Sequence, residues 1–183
     1  MRGVDLPEDA EIPEAALRRL RALPPINIYR LLGLVPQSVI PWTDMTQAVY
    51  ECEVDPRLRE IGICRQAHAA NADYELHLHR FIAQNNGVTE DDLEAVVSES
   101  TVRSLDPRAN LVCRVADELE GDANLSDETF DGLYREFGRR GATELLFILS
   151  FYCAVARLSN ATRIPIEADD PLQGAANPNV ASD

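Results

Sequence analysis

Hydrophobic residues recur every three or four positions along almost the whole chain, which is the period of a helix rather than a strand. The segments between them carry helix-start and helix-stop residues. A short helical turn or two is also expected just before Pro36. The longer predicted helices cover residues 14–23, 38–51, 56–70, 73–86, 89–98, 107–119, 126–138 and 143–160. The pattern therefore predicts an all-α protein.

Capping residues fix several of these helix ends. Asp55 followed by Pro56 is an N-cap with proline at the first helical position. The stretch that begins at Thr89 has the spacing of a capping box, and Ser126 is a further candidate N-cap. Gly87 ends the helix that precedes Thr89. These signals support the helical assignment independently of hydrophobicity.

The chain is long enough for one substantial core. It has 183 residues, of which 45% are hydrophobic, and we expect a single helical domain over residues 14–168. Residues 1–13 are predicted to form an N-terminal arm. Residues 169–183 contain few apolar side chains and are predicted to form a flexible C-terminal tail. The predicted helix 143–160 is apolar nearly all round, so we expect it either at the centre of the fold or in a subunit interface.

The composition of the chain limits its possible binding partners and its cellular compartment. The formal net charge of −14 opposes binding to nucleic acid or to anionic membranes. The first residues lack the apolar core of a signal peptide, and the apolar run 145–156 is short for a bilayer. We therefore expect a cytoplasmic protein. Its four cysteines are widely spaced and are interpreted as buried apolar residues, with no metal site and no cofactor.

The helix predicted within residues 73–86 carries two titratable residues on its apolar side. At about 100° per residue, Glu75 and His79 fall inside the wide apolar arc, and their spacing of four residues allows contact. One interpretation is a structural pair that closes a helix contact. The other is a proton-transfer pair whose pKa values are shifted by burial.

A second acid is placed in similar surroundings on the preceding helix. Glu60 lies beside the small or apolar residues Ile63, Cys64 and Ala67. A buried glutamate needs a partner. If the chain folds back near residue 71, Glu60 can approach His79 directly or through a water, which would create a general acid/base site.

Residues 55–96 resemble the core repeat of the carboxymuconolactone decarboxylase and alkyl hydroperoxidase D-like superfamily, and residues 111–119 and 141–167 resemble its later helices. The resemblance rests on the order and spacing of Glu60, the Tyr74-Glu75 pair and His79, followed by a Gly-Val turn and an acidic helix start. It covers about two thirds of the chain. It implies an oligomeric helical fold of the alkyl hydroperoxidase D type.

The residues just before His79 distinguish between two branches of the superfamily. In the peroxidase branch, two redox cysteines precede the histidine by seven and four residues, and these positions are Ala72 and Glu75 here. Tyr74 falls where that branch has an extra histidine. Glu60 and His79 match the proton-relay positions. The relay residues are thus present without the thiols, and the Tyr74-Glu75 pair is similar to the decarboxylase branch.

The decarboxylase resemblance implies cofactor-free removal of CO2 from a small carboxylated lactone in aromatic-acid catabolism. On this basis His79 is predicted to be the general acid/base, Glu75 its orienting residue or a second acid, and Glu60 the outer part of the relay. Tyr74 is a candidate hydrogen-bond donor to the substrate, although a hydrogen-bonded tyrosine in the core is the more common case. The nearest cations in sequence are Arg57, Arg59 and Arg65, which are interpreted as solvated charges.

Two other function classes stay open at this point. One is peroxidase activity through a lone cysteine, for which Cys64 is nearest to the relay. The other is a helical oligomer that binds a small ligand without turnover. In every case we expect self-association as a homotrimer or homohexamer rather than a dimer, a small-molecule substrate or ligand, and neither nucleic acid nor membrane as a partner.

Overall fold

The computed structural model describes residues 3–168, 170–172 and 174–179, and this part of the chain contains eight α-helices and two 3-10 turns without a strand. The helices are α1 (Glu14–Arg21), α2 (Asn27–Leu32), α3 (Val39–Tyr50), α4 (Pro56–Ala69), α5 (Asp73–Asn85), α6 (Glu90–Ser98), α7 (Pro107–Asp122) and α8 (Asp127–Thr162). The all-α prediction is confirmed. The side chains of Asp55 and Thr89 accept the expected hydrogen bonds from the first turns of α4 and α6.

Helix α4 lies at the centre of the fold. All ten residues from 58 to 67 are buried, and α4 packs against α5, α6, α7 and α8. Gly62 permits this close packing, because a Cβ there would lie 2.8 Å from a methyl of Val112 and 3.2 Å from one of Leu149. The centre is therefore occupied by α4 rather than by the helix at 143–160, and the alternative place of that helix in a subunit interface stays a prediction. Sequence periodicity predicted helix α4 but not its central position, because its buried residues include charged ones. Arg59 pairs with Glu60, and Arg65 pairs with Asp117 of α7.

Helix α8 changes direction at Gly138. The backbone there has φ 65° and ψ 176°, so the predicted helices 126–138 and 143–160 are two parts of one kinked element. By length and composition alone, α8 contains a window apolar enough to cross a membrane, and 39% of that window is buried inside the fold. The buried side of α8 packs against α3, α4, α5 and α7, as a core helix does.

A sharp turn between α4 and α5 folds these helices against each other. Asn71 adopts the left-handed conformation with φ 50°, which asparagine tolerates better than most residues. The next amide, that of Ala72, donates to the carbonyl of Ala67 at 2.8 Å, which closes the end of α4. As a result, one buried side of α5 faces α4, and the side chains of Glu60 and His79 meet.

Both ends of the chain pack on the helices where the structure describes them. The Val4 amide donates to the carbonyl of Thr162, and Ile12 is buried. In the predicted tail, Leu172 is buried as well, so these residues pack in spite of the low apolar content. Residues 1 and 2 of the predicted arm, and residues 169, 173 and 180–183 of the predicted tail, lie outside the described residues. The flexibility of the tail stays a prediction.

Candidate active site

Three buried residues form a hydrogen-bonded relay between α4 and α5. Nδ1 of His79 lies 2.8 Å from Oε2 of Glu60, and Nε of Arg59 donates to Oε1 of the same carboxylate at 2.8 Å. The three side chains are between 0% and 4% exposed. Arg59, Glu60 and His79 are called the relay below. The proposed approach of Glu60 to His79 is found as a direct contact.

Arg59 balances the charge of the buried carboxylate. Its guanidinium stacks over the ring of Tyr50, 4.2 Å from the ring centroid, and also donates to Oδ1 of Asn86 at 3.3 Å. A buried carboxylate needs a partner of opposite charge and hydrogen bonds to its oxygens, and Arg59 and His79 provide both for Glu60. The interpretation of Arg59 as a solvated charge is therefore wrong.

The Glu60 contact defines the roles of the two imidazole nitrogens. Because an ionised carboxylate only accepts hydrogen bonds, Nδ1 of His79 carries the proton in this pair. In the neutral ring Nε2 is then the basic nitrogen. The imidazole packs edge-on against the ring of Tyr152 at a centroid distance of 4.6 Å. Burial and the nearby Glu60 carboxylate raise the pKa of the Tyr152 phenol, which therefore stays protonated near neutral pH.

Glu75 is buried near His79 but is not hydrogen-bonded to it. Neither carboxyl oxygen of Glu75 has a hydrogen-bond partner among the described residues, and the residue is 1% exposed. Burial and, to a smaller extent, the charge of Glu120 raise the pKa of Glu75 well above its usual range. The predicted orienting role therefore falls to Glu60. Glu75 instead fits the second role considered for it, that of a second acid.

His79 and Glu75 both line one small cavity between α2, α3, α5 and α8. Its volume is about 30 Å³, which holds a water molecule or two rather than a metabolite. Apart from His79 and Glu75, Thr46 is the one described lining residue that is polar without being aromatic. The rest of the described lining is aromatic or aliphatic: Ile26, Ile28, Tyr29, Trp42, Tyr74, Leu78, Phe151, Tyr152, Val155 and Pro178. The site is thus small and mostly aromatic or aliphatic, and it contains one base, His79, and one buried acid, Glu75.

The hydroxyl of Tyr74 makes two hydrogen bonds within the fold. It accepts a hydrogen bond from the Ile28 amide at 3.0 Å and donates one to Oε1 of Glu167 at 3.0 Å. Only the ring lines the cavity. The geometry therefore favours the core interpretation of Tyr74 over the prediction that it donates a hydrogen bond to a substrate.

The other two arginines close to the site in sequence, Arg57 and Arg65, form ion pairs outside the cavity. Arg57 pairs with Asp92 and Asp106. Arg65 is buried and forms a two-pronged pair with Asp117, in addition to hydrogen bonds to three backbone carbonyls. Among the described residues that line the cavity there is no lysine or arginine.

Cys64 has the properties of a buried thiol rather than a reactive one. It is fully buried, and burial, followed by the charges of Glu60 and Glu75, raises its pKa well above the usual range of cysteine. Ala72, which occupies the first redox-cysteine position of the peroxidase branch, is packed with Ala67 and Ala156.

Sequence reasoning missed Arg59, Tyr50 and Tyr152 as residues around the pair of Glu60 and His79. One signal was available for Arg59, because it directly precedes a glutamate predicted to be buried. Tyr50 of α3 contacts Arg59 and Tyr152 of α8 contacts His79, and both contacts depend on how those helices pack. In the part of the chain that the structure describes, no three His, Cys, Asp or Glu side chains are grouped to hold a metal ion.

Comparison with known proteins gives a family match for the segment that carries this site. Residues 36–118 match the Carboxymuconolactone decarboxylase family. The matched segment runs from the turn before α3 into α7, so it contains the relay and Glu75 but not α8 or the C-terminal residues. A comparison with curated proteins gave no match. The resemblance inferred from the spacing of Glu60, Glu75 and His79 is confirmed, because the segment that carries these residues matches the carboxymuconolactone decarboxylase family.

Proposed function

We propose that the protein is a cofactor-independent enzyme that moves protons to and from carbon in a small lactone-like metabolite, with His79 as general acid/base. Two reactions of this kind are considered: decarboxylation of a carboxylated lactone, the reaction in the family's name, and proton exchange at the α-carbon of an uncharged lactone. The observation that carries the proposal is the hydrogen bond of 2.8 Å between Nδ1 of His79 and the buried Glu60 carboxylate. It leaves Nε2 as the reactive nitrogen of a residue that lines the cavity.

Each residue has a distinct role in this reaction. When CO2 leaves a carboxylated lactone, or a proton leaves the α-carbon of a lactone, the electron pair of the broken bond forms an enolate. Nε2 of His79 delivers the proton to carbon in the first case and accepts it from carbon in the second. Glu60 stabilises the imidazolium that exists during the transfer, and Arg59 in turn holds Glu60 in place. Glu75, kept neutral by burial, supplies a hydrogen bond to the enolate oxygen.

Peroxidase chemistry through a lone cysteine is less well supported. The nucleophile in such a reaction is a thiolate. Cys64 is fully buried among groups that favour the neutral thiol, and the redox-cysteine positions hold Ala72 and Glu75. A ligand-binding oligomer without turnover differs from our proposal only in that no product forms.

A comparison of Glu60→Gln with Cys64→Ser tests the proposal. Lactones with and without a carboxylate are incubated with the wild type and both variants, and CO2 release, deuterium uptake at the α-carbon and peroxide consumption are measured. We expect Glu60→Gln to lower CO2 release or deuterium uptake by roughly 10²-fold or more, because the imidazolium loses its anionic partner. Cys64→Ser should retain it. Peroxide consumption that disappears in Cys64→Ser would favour the peroxidase, and binding without any product would favour the ligand-binding oligomer. Circular dichroism verifies the fold of both variants.

A further inference from the structure

The charge around the cavity points to the kind of substrate that it accepts. The three arginines closest in sequence to the relay, Arg57, Arg59 and Arg65, are each paired with an acidic side chain. None of them is among the described lining residues, and His79 is the one described lining residue that can become a cation. A carboxylate that enters the cavity would lose its hydration and meet at most one positive charge, which Glu60 already balances.

Glu75 offers the cavity a neutral hydrogen-bond donor. Its carboxyl oxygens lack partners in the described structure although the side chain is buried and lines the cavity. Burial and, to a smaller extent, the charge of Glu120 raise the pKa of Glu75, which favours the neutral carboxylic acid. A buried carboxylic acid is a good donor to a carbonyl or enolate oxygen and a poor neighbour for a second anion.

We propose that the cavity, after widening from its present volume of about 30 Å³, accepts a small uncharged carbonyl compound, whose carbonyl oxygen accepts a hydrogen bond from Glu75 while His79 exchanges a proton at the adjacent carbon. This inference rests on the proposed function and names its substrate class. Glu75 and His79 are one helical turn apart on α5 and both line the cavity, so one ligand can contact both side chains.

The proton transfer balances within these groups. The bond between the α-carbon and hydrogen breaks, and the proton moves to Nε2 of His79. The electron pair of that bond forms the enolate, whose oxygen receives the hydrogen bond from Glu75. The imidazolium is balanced by Glu60 and then returns its proton to the same carbon or to another carbon of the conjugated system, which gives exchange or isomerisation.

The cavity walls suit such a compound and also provide a probe. Tyr29, Trp42, Phe151 and Tyr152 present aromatic rings to the cavity, and apolar rings favour a flat and uncharged ligand. Trp42 is the single tryptophan of the chain. Its fluorescence therefore reports binding in this cavity without a label.

A pair of ligands that differ only in charge tests the proposal. The neutral ligand is an unsaturated five-membered lactone, and its partner is the same lactone with one carboxylate. Affinity is measured from Trp42 fluorescence near neutral pH, and deuterium uptake from D2O at the α-carbon is followed by NMR. We expect the neutral lactone to bind at least about 10-fold more tightly than the carboxylated one and to exchange its α-hydrogen.

Variants of Glu75 separate hydrogen bonding from packing. Glu75→Gln keeps a donor of similar shape and should retain part of the exchange. Glu75→Leu fills the same space with an apolar side chain that cannot donate a hydrogen bond. It should lower exchange of the neutral lactone by roughly 10²-fold. An equal loss in both variants with unchanged affinity would overturn the role of Glu75.

The outcomes also separate this inference from the proposed function. If the carboxylated lactone binds equally well or better and releases CO2, the substrate class is wrong and the proposed function stands. Failure of the neutral lactone to bind or to exchange overturns the substrate class as well. If exchange occurs but is the same in His79→Gln, the proposed function itself is wrong.

Discussion

Glu60 and Glu75 are both buried glutamates near the same histidine, and their surroundings give them different chemistry. Glu60 accepts hydrogen bonds from Arg59 and His79, which favour the carboxylate. Glu75 has no such partner in the described structure and is held as a neutral acid by burial. One carboxyl group therefore supports a base, and the other can act as a donor.

The raised pKa of Glu75 predicts a pH-dependent free energy of unfolding. The unfolded chain loses the Glu75 proton near its ordinary pKa of 4.5, whereas the folded protein keeps it to higher pH. The folded state thus binds more protons between these two pKa values, and stability falls as pH rises through that window. Glu75→Gln removes this loss. We expect the variant to have a higher free energy of unfolding than the wild type at about pH 7.5, and the difference to disappear as pH falls towards 4.

Urea unfolding at several pH values measures this effect. Glu94→Gln is the matched control, because Glu94 is exposed on α6 and its substitution should leave the pH dependence unchanged. A parallel pH dependence for Glu75→Gln and the wild type would show that Glu75 is not held neutral in the folded state.

The sequence predicted which residues meet at the site but not how they are paired. Helical periodicity placed Glu60, Glu75 and His79 on buried faces, and the structure has them there. The pairing of His79 with Glu60 instead of Glu75 depends on the turn at Asn71 and on the tilt of α5 against α4. Such tertiary geometry is not encoded in the spacing of residues along one helix.

At the scale of elements, helix ends were predicted well because capping is local. Asp55, Thr89 and Ser126 each accept hydrogen bonds from the first turn of the helix that follows. Helix positions in the fold were predicted less well. The sequence of α8 is more apolar than that of α4, yet α4 is central, because Arg59 and Arg65 bury their charge against acidic partners.

The C-terminal segment 174–179 closes one side of the cavity. Pro178 is part of its lining. Asn179 accepts a hydrogen bond from the Tyr29 hydroxyl at 2.5 Å and donates one to the Thr43 carbonyl at 2.8 Å. Because the cavity has room for about 30 Å³, a metabolite requires this segment or the surrounding side chains to move.

We therefore expect Asn179→Ala to speed ligand entry. The substitution removes both hydrogen bonds that hold the segment against α2 and α3. Stopped-flow fluorescence of Trp42 should show an association rate several-fold higher than that of the wild type. Asn85→Ala is the control, because the side chain of Asn85 hydrogen-bonds only within α5 among the described contacts. Unchanged association in Asn179→Ala would show that entry does not depend on this segment.

At the scale of the whole molecule, several large apolar side chains remain exposed. Phe130 and Phe147 on α8 and Ile40 on α3 are 46%, 37% and 49% exposed, respectively. Apolar residues scattered on a surface are common, but several on one subunit favour self-association. This agrees with the oligomer implied by the family resemblance, and the oligomeric state stays a prediction.

Sedimentation velocity at micromolar concentration measures the assembly. We predict a homotrimer or homohexamer for the wild type, and dissociation in Phe147→Glu if α8 contributes to the interface. Arg18→Glu, a change at an exposed position of α1, should leave the assembly intact. A stable wild-type monomer would contradict the prediction.

The most direct test of the proton-transfer role compares two histidines of the same helix. His79 lines the cavity and contacts Glu60, whereas His77 lies two residues away on α5 and packs against Phe81. Deuterium uptake into the neutral lactone is measured for the wild type, His79→Gln and His77→Gln, with folding checked by melting temperature. We predict that His79→Gln loses roughly 10²-fold or more of the exchange rate while His77→Gln retains it. Full exchange in a folded His79→Gln variant would contradict the assignment of His79 as the general acid/base.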